Sequence, residues 1–226
     1  MKKEFSPKES MQNNKRITII CGHYGSGKTS VALNLAFYLK KTHAKVTVAD
    51  LDIVNPYFRA RDGEAALRDA GIRLICSPFA NSNLDVPALP QELYAITDDR
   101  SYRYVLDIGG DDRGALALGR LSAAVVTEND YETVLVVNRF RPLTRTASEA
   151  LEVLREIETA SGIRFCGIVN NSNLGVETTA QTVLDSLDYA EEISRIAGLP
   201  IAATTVREDL CAELAGRIPN LFPLKL

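Results

Sequence analysis

Short apolar runs alternate along the chain with longer amphipathic stretches. The short runs are rich in β-branched residues and are mostly apolar throughout, which is typical of strands covered on both faces. The longer stretches have the hydrophobic periodicity of helices. The pattern predicts strands at 16–21, 45–50, 72–76, 102–108, 133–138, 165–170 and 201–206, and helices at 29–42, 62–70, 87–99, 113–127, 144–161, 178–197 and 208–216.

This alternation predicts an α/β fold, with a doubly wound, mainly parallel sheet and helices on both faces in three layers. Residues 16–226 are expected to form one domain, because no repeat, linker or low-complexity segment interrupts them. The polar stretch 1–15 is expected to be a disordered tail. In such a sheet, ligands bind beyond the carboxyl ends of the strands, so functional residues should follow the strands directly.

Composition and charge narrow the function classes. The 226 residues are 46% apolar, and 26 basic against 29 acidic residues leave a net charge of −3. This balance gives no reason to expect general nucleic-acid binding. No apolar run approaches the roughly 18–20 residues needed to cross a bilayer. The four cysteines include no CxxC pair, which favours reduced thiols of a cytoplasmic protein over a metal or iron–sulfur site.

A glycine-rich loop follows the first predicted strand. Its sequence, GHYGSGKT, matches the phosphate-binding pattern GxxxxGK followed by Ser or Thr, between a strand and a helix. Glycines let successive backbone N–H groups point at one anion, and the helix N-terminus adds partial positive charge. Lys28 is placed to reach the β- and γ-phosphates, and the Thr29 hydroxyl to ligate Mg²⁺. The candidate nucleotide-binding residues are Gly22, His23, Tyr24, Gly25, Ser26, Gly27, Lys28, Thr29 and Ser30.

Carboxylates end two other predicted strands. In YVLDIGG, Asp107 is suited to bind a water on Mg²⁺ or the Thr29 hydroxyl, and Gly110 can bring a backbone N–H to the γ-phosphate. In VADLDIV, Asp50 and Asp52 lie two residues apart and point the same way on an extended chain. One of the pair would hold the water shell of the metal while the other orients an attacking water. Capping of a turn or helix is the simpler alternative for these aspartates.

The three motifs, in this order, resemble the MinD/ParA/CobQ/CobB-type branch of P-loop NTPases, which carries a variant phosphate-binding (Walker A) loop. The likeness covers most of residues 16–215 as an element pattern, and its specific motifs lie at 22–30, 50–52 and 107–110. It implies bound ATP and Mg²⁺ and a nucleotide-dependent homodimer. Carried over to this chain, the family roles make Lys28 and Asp52 catalytic, Thr29 a ligand of Mg²⁺, and Asp50 and Asp107 part of the surroundings of the metal.

One position departs from the family pattern. The family loop is commonly KGGxGKT, and its first Lys crosses the dimer interface to the phosphates of the partner. Aligned on the final GKT, that Lys falls on His23. The shorter histidine side chain would either donate a hydrogen bond to the partner or only shape the loop. Arg59 and Arg61 are alternative sources of such a cation.

Polar loops follow two later strands. Asn170 and Asn171 end a strand where, in related folds, an Asn binds the adenine edge; no NKxD motif for guanine occurs, which favours ATP over GTP. Asn-rich turns also occur for backbone reasons alone. Arg139, Arg141 and Arg145 form either a solvated basic loop or a docking site for an anion or acidic partner.

The sequence therefore favours a cytoplasmic Mg-dependent ATPase that acts as a nucleotide-dependent molecular switch with an unidentified protein partner. The alternative is a small-molecule kinase or an ATP-dependent ligase of the cobyrinate or dethiobiotin synthetase type. Such an enzyme needs a second pocket for its acceptor, and the segments between elements are short. A third reading, a nucleotide-binding module without hydrolysis, is weakened by Asp52.

Overall fold

A computed structural model of the chain describes residues 15–51, 61–76, 91–94, 96, 98–110 and 112–225. Its strands are β1 (Ile17–Cys21), β2 (Val46–Leu51), β3 (Arg73–Cys76), β4 (Arg103–Ile108), β5 (Tyr131–Val137), β6 (Gly167–Asn170), β7 (Ile201–Arg207) and β8 (Leu221–Leu224). Its α-helices are α1 (Lys28–Lys40), α2 (Arg61–Asp69), α3 (Gln91–Tyr94), α4 (Asp112–Glu128), α5 (Ala147–Ser161), α6 (Ala180–Leu184), α7 (Leu187–Ala197) and α8 (Cys211–Leu214).

The strands form one eight-stranded sheet in the order β3-β2-β4-β1-β5-β6-β7-β8. Every described pairing is parallel, which confirms the predicted fold class. Strand β1 lies between β4 and β5, so the chain runs first to one edge of the sheet and later to the other. The loops after these central strands therefore meet at the point where a doubly wound sheet binds its ligand.

Buried apolar side chains cover both faces of the sheet. Ile17 and Ile19 point to the face covered by α4, α5 and α7, whereas Ile20 and Val48 point to the face covered by α1. Both faces of the central strands are buried because helices pack on each of them, which explains why the strands are continuously apolar. In the described part of the chain, no helix has both the length and the apolar character to cross a membrane.

The last strand was not predicted. Strand β8, with sequence LFPL, pairs in parallel with β7 at the edge of the sheet. Pro223 lacks the backbone N–H that a central strand needs, so a proline-containing strand is restricted to an edge. The sequence pattern gave no strand here because the segment is short and contains this proline.

The predicted helix 178–197 forms two helices instead of one. Helix α6 ends at Leu184 and α7 begins at Leu187, with the buried Ser186 between them. The Ser186 hydroxyl donates to the carbonyl oxygen of Val183 at 2.7 Å and accepts from Asn170 Nδ2 at 2.9 Å. The break therefore ties the helix pair to the end of β6. The predicted helix 87–99 is described only in part, as α3.

Candidate functional site

The loop between β1 and α1 curves around the N-terminus of the helix. Gly22, Gly25 and Gly27 all have positive φ angles, of 151°, 75° and 87°. Helix α1 begins at Lys28, and its first turn contains no acidic residue. The positive end of the helix dipole is therefore not neutralised within that turn, which suits it to an anion.

Lys28 and Gly110 meet at this loop. The Lys28 side chain is buried, and its Nζ donates to the carbonyl oxygen of His23 at 3.2 Å. A Cβ atom on Gly110 would lie 2.5 Å from the Tyr24 backbone nitrogen and 2.9 Å from Lys28 Nζ. The segment after β4 thus packs directly on the phosphate-binding loop, and any side chain larger than glycine would displace the loop or the lysine.

Two buried carboxylates lie side by side next to Thr29. Asp50 and Asp107 are register partners on β2 and β4, and they are 2% and 1% exposed. The Thr29 hydroxyl donates to Asp107 Oδ2 at 2.6 Å. The predicted contact between the first turn of α1 and the end of β4 is thus present, and Asp50 is adjacent to it.

This donor set fits Mg²⁺. A hydroxyl and two carboxylates are oxygen ligands, which a hard cation prefers, and Mg²⁺ is usually held by few protein groups together with substrate phosphates and water. In the described residues, no group of three or more His, Cys, Asp or Glu side chains could hold a metal by itself. Thr29, Asp50 and Asp107 would therefore hold the ion together with a bound nucleotide. Two neighbouring buried carboxylates also favour a cation close by.

Asn171 supports the phosphate-binding loop through two side-chain hydrogen bonds. Its Nδ2 donates to the Ser26 carbonyl oxygen at 2.6 Å, and its Oδ1 accepts from the Thr205 hydroxyl at 2.6 Å. The same Nδ2 occupies the space that a Cβ atom on Gly27 would need. Asn171 is 1% exposed, so its side chain fixes the loop to β7.

Asn170 is also fully buried. Its Nδ2 donates to the Ser186 hydroxyl, and its Oδ1 accepts from the backbone N–H and the hydroxyl of Ser172. Both amides at the end of β6 are therefore engaged inside the protein, whereas base recognition would require an amide that faces the ligand. The geometry gives Asn170 and Asn171 a structural role in place of the predicted contact with an adenine base.

The loop after β5 also approaches the phosphate-binding loop, at Gly25. The backbone N–H of Arg141 donates to the Asn138 carbonyl oxygen, and the Thr144 hydroxyl donates to the same oxygen at 2.9 Å. A Cβ atom on Gly25 would lie 3.7 Å from Arg141 Cδ and 3.9 Å from its Nε. Asn138 was not predicted as a site residue. The available signal was its position directly after an apolar strand, similar to that of Asp107 near the end of β4.

A cleft of about 310 Å³ opens beside the phosphate-binding loop. Its lining combines apolar side chains with the polar groups of His23, Tyr24 and the exposed Glu156. Gly110 borders it, so the cleft adjoins the position of Lys28 Nζ. The lining residues are His23, Tyr24, Gly110, Ala115, Val153, Glu156 and Ile157.

Cys21 lies directly beneath the loop at the end of β1. Burial raises the pKa of its thiol far above the usual range; the nearby Lys28 opposes this shift and Asp107 adds to it. The thiol therefore stays protonated and unreactive. All four cysteines are free: Cys21 and Cys211 are buried, Cys76 is half-buried and Cys166 is exposed.

Several predicted residues cannot be placed. Asp52 and Arg59 lie outside the described residues, and of Arg61 only the backbone in α2 is described. His23 is half-buried, and its Nδ1 lies 3.1 Å from the Tyr24 carbonyl oxygen. This local contact is compatible with either predicted role of the histidine.

Comparison with known proteins gives one family and a group of similar folds. The model of the CobQ/CobB/MinD/ParA nucleotide-binding domain matches residues 17–197. None of the curated proteins matches the sequence significantly.

Similar solved structures include cell division protein FtsY from Thermotoga maritima, with a TM-score of 0.56 and 17% identity over 90% of this chain. The 54 kDa signal recognition particle protein from Aeropyrum pernix K1, in complex with GDP, has a TM-score of 0.53 and 16% identity over 88% of the chain. Chloroplast FtsY from Physcomitrella patens has a TM-score of 0.52 and 18% identity over 84%. The chain spans 66%, 42% and 58% of the lengths of these structures, which share its fold.

Proposed function

Since the chain belongs to the CobQ/CobB/MinD/ParA nucleotide-binding domain family, we propose that it binds ATP with Mg²⁺ and hydrolyses it as a nucleotide-dependent molecular switch. The observation that carries this proposal is the contact between Thr29 and Asp107 at the phosphate-binding loop. It joins the predicted metal ligand to the predicted carboxylate, next to the buried Lys28.

The chemical roles follow from the positions of the groups. Loop N–H groups and the Lys28 ammonium hold the phosphate chain. Thr29, Asp50 and Asp107 would hold Mg²⁺, which would supply positive charge to the phosphates. Asp52, predicted from the sequence, orients the attacking water. The backbone N–H of Gly110 binds the γ-phosphate. Because Gly110 closely precedes α4, this contact would make the position of that helix depend on the state of the nucleotide.

The choice of ATP rests on the sequence, which contains no NKxD motif. The 54 kDa signal recognition particle protein, whose fold is similar, is in complex with GDP. A direct competition between ATP and GTP for the same site decides between them.

A second copy of the chain is the proposed partner in the ATP state, as in the family. Exposed apolar side chains surround the site on the loops after β1, β5 and β6: Tyr24, Leu143, Leu174 and Val176. Residues of this type at the ligand edge of the sheet suit a protein contact that covers the nucleotide. A further protein partner would then recognise the assembled or the separated form.

The cleft beside Gly110 favours one other function, a small-molecule kinase or ATP-dependent ligase. At about 310 Å³ it is large enough for a small metabolite, and it adjoins Lys28 through Gly110. An acceptor bound there would lie beside the γ-phosphate. This is a second pocket of the kind that such an enzyme requires, in spite of the short connecting segments between elements.

Calorimetric titration tests the proposal. Mg-ATP should bind the wild-type protein, and Lys28→Ala should weaken binding about 10–100-fold, because a charge-assisted contact to phosphate is lost. Phosphate release without any added acceptor would support the switch. ATP binding without hydrolysis would point to the transferase, whereas equal affinities of the wild type and Lys28→Ala would exclude both.

A further inference from the structure

Of the three arginines on the loop after β5, one lies over the phosphate-binding loop. Arg139 Nη1 donates to the Asp185 carbonyl oxygen. Arg145 lies near Glu149: the Thr146 N–H has the largest effect in lowering the pKa of the Glu149 carboxyl, and Arg145 adds to it. Arg141 instead places its Cδ and Nε 3.7 and 3.9 Å from the position of a Cβ atom on Gly25. It is exposed, and it forms no ion pair with any described residue.

The loop that presents Arg141 is firmly anchored. Asn138 and Thr144 at its two ends are each 1% exposed. Asn138 Oδ1 accepts from the Phe140 N–H at 3.0 Å, and the Tyr189 hydroxyl donates to the Thr144 carbonyl oxygen at 2.6 Å. The backbone of Arg141 is therefore held by buried contacts, while its guanidinium is free to turn toward a ligand. An anchored loop reduces the entropy lost when such a contact forms.

The charge of the site leaves a role for this arginine. A nucleoside triphosphate with one Mg²⁺ keeps a net charge of about −2, and Lys28 supplies one positive charge. His23 stands where related loops carry a second lysine. On the opposite side of the loop, Asp107 and Asp50 serve the metal. On the side next to β5, Arg141 is the cation of the described residues that approaches Gly25.

We propose that Arg141 binds the phosphate chain of the nucleotide held by its own subunit, as a second phosphate ligand beside Lys28. Gly25 belongs to the part of the loop whose N–H groups surround the α- and β-phosphates. The guanidinium therefore contacts the diphosphate portion, which ADP and ATP share, and its fork geometry allows two parallel hydrogen bonds. The inference rests on the proposed nucleotide binding and adds a second cation from the same subunit.

The test compares Arg141→Gln with Arg145→Gln, which removes the same charge from the same loop away from Gly25. Binding of ADP and of a non-hydrolysable ATP analogue is measured by calorimetry. Arg141→Gln should weaken both nucleotides about 10–100-fold, whereas Arg145→Gln should stay within about twofold of the wild type. Arg141→Lys should give an intermediate loss, because it keeps the charge without the fork. Melting temperatures verify that all variants fold.

The outcomes separate this inference from the proposed function. If the wild type binds and Lys28→Ala does not, while Arg141→Gln binds like the wild type, only the arginine contact is excluded. Equal losses for Arg141→Gln and Arg145→Gln would indicate a general charge effect and would also overturn the contact. If the wild type binds neither nucleotide, the proposed function fails together with the inference. A loss confined to ATP would overturn the assignment to the diphosphate.

Discussion

Asn171 Nδ2 lies 2.6 Å from the carbonyl oxygen of Ser26 and occupies the space that a Cβ atom on Gly27 would need. One amide thus satisfies a buried carbonyl of the phosphate-binding loop and also requires a glycine at the N-cap of α1. The Thr205 hydroxyl holds this amide from β7. The shape of the loop consequently depends on two strands that follow it by well over a hundred residues.

Replacing this amide should weaken nucleotide binding. Asn171→Ala leaves the Ser26 carbonyl without its donor, which should cost about 1–3 kcal/mol of stability and about tenfold or more in affinity. Asn220→Ala is the matched control, because Asn220 Nδ2 donates to the Ile201 carbonyl oxygen at 2.8 Å, away from the loop. It should lower stability without changing affinity. Chemical denaturation and calorimetry measure the two quantities, and equal affinities for both variants would contradict the proposed support.

Glycine at position 27 should be essential for steric reasons. Gly27→Ala places a Cβ atom against Asn171, in addition to the cost of about 1–2 kcal/mol for a left-handed conformation. Gly162 at the end of α5 has a φ of 70° and nothing within 4 Å of its Cβ position. Gly162→Ala should show the conformational cost alone and keep full nucleotide affinity, whereas Gly27→Ala should lose it. Similar melting temperatures and affinities in both variants would refute this explanation.

The hydroxyl of Thr29 should couple nucleotide binding to Mg²⁺. Thr29→Val removes both the proposed metal ligand and the donor to Asp107, so the affinity for Mg²⁺ at a fixed ATP concentration should fall about 10–100-fold. Thr127→Val is the control, because that hydroxyl donates to a carbonyl oxygen within α4, at its exposed surface. Mg²⁺ titrations of ATP binding compare the two variants. Unchanged Mg²⁺ dependence in Thr29→Val would remove the metal assignment.

Asp52 should affect turnover more than binding. If it orients the attacking water, Asp52→Asn should keep nucleotide affinity while lowering the hydrolysis rate about 10²–10⁴-fold. Asp188→Asn, at an exposed position in the first turn of α7, controls for the loss of one surface charge. Single-turnover phosphate release measures the rate. A wild-type rate in Asp52→Asn would transfer the role to Asp50 or favour the transferase mechanism.

The exposed apolar residues around the site should form the contact between two copies. Val176 is 86% exposed on the loop after β6, so Val176→Asp should prevent the proposed ATP-dependent dimer. Val126 is 46% exposed in the last turn of α4. This turn lies near the start of β5, at the end of the strands away from the site, so Val126→Asp should leave the dimer intact. Analytical ultracentrifugation with a non-hydrolysable ATP analogue distinguishes them. A monomer under all conditions would exclude the homodimer and leave another protein as the partner.

Local patterns were sufficient for the elements that bind phosphate. The seven predicted strands are all present, because buried parallel strands must be continuously apolar. The glycine spacing before Lys28 and Thr29 identified the loop, because its positive φ angles require glycines at fixed positions. Strand β8 was missed, since an edge strand of four residues with Pro223 has almost no pattern of its own.

The sequence by itself determined the fold class, the phosphate-binding loop and the family, because each depends on the order of neighbouring residues. Only the tertiary structure decided what Asn170, Asn171 and Arg141 contact. Their sequence neighbourhoods read as polar loops, and an amide that faces a ligand looks the same in sequence as one that supports a backbone. The sheet order, which places β1 between β4 and β5, brings distant loops onto Gly25 and Gly27. That proximity, and not the residue types, sets the role of each side chain.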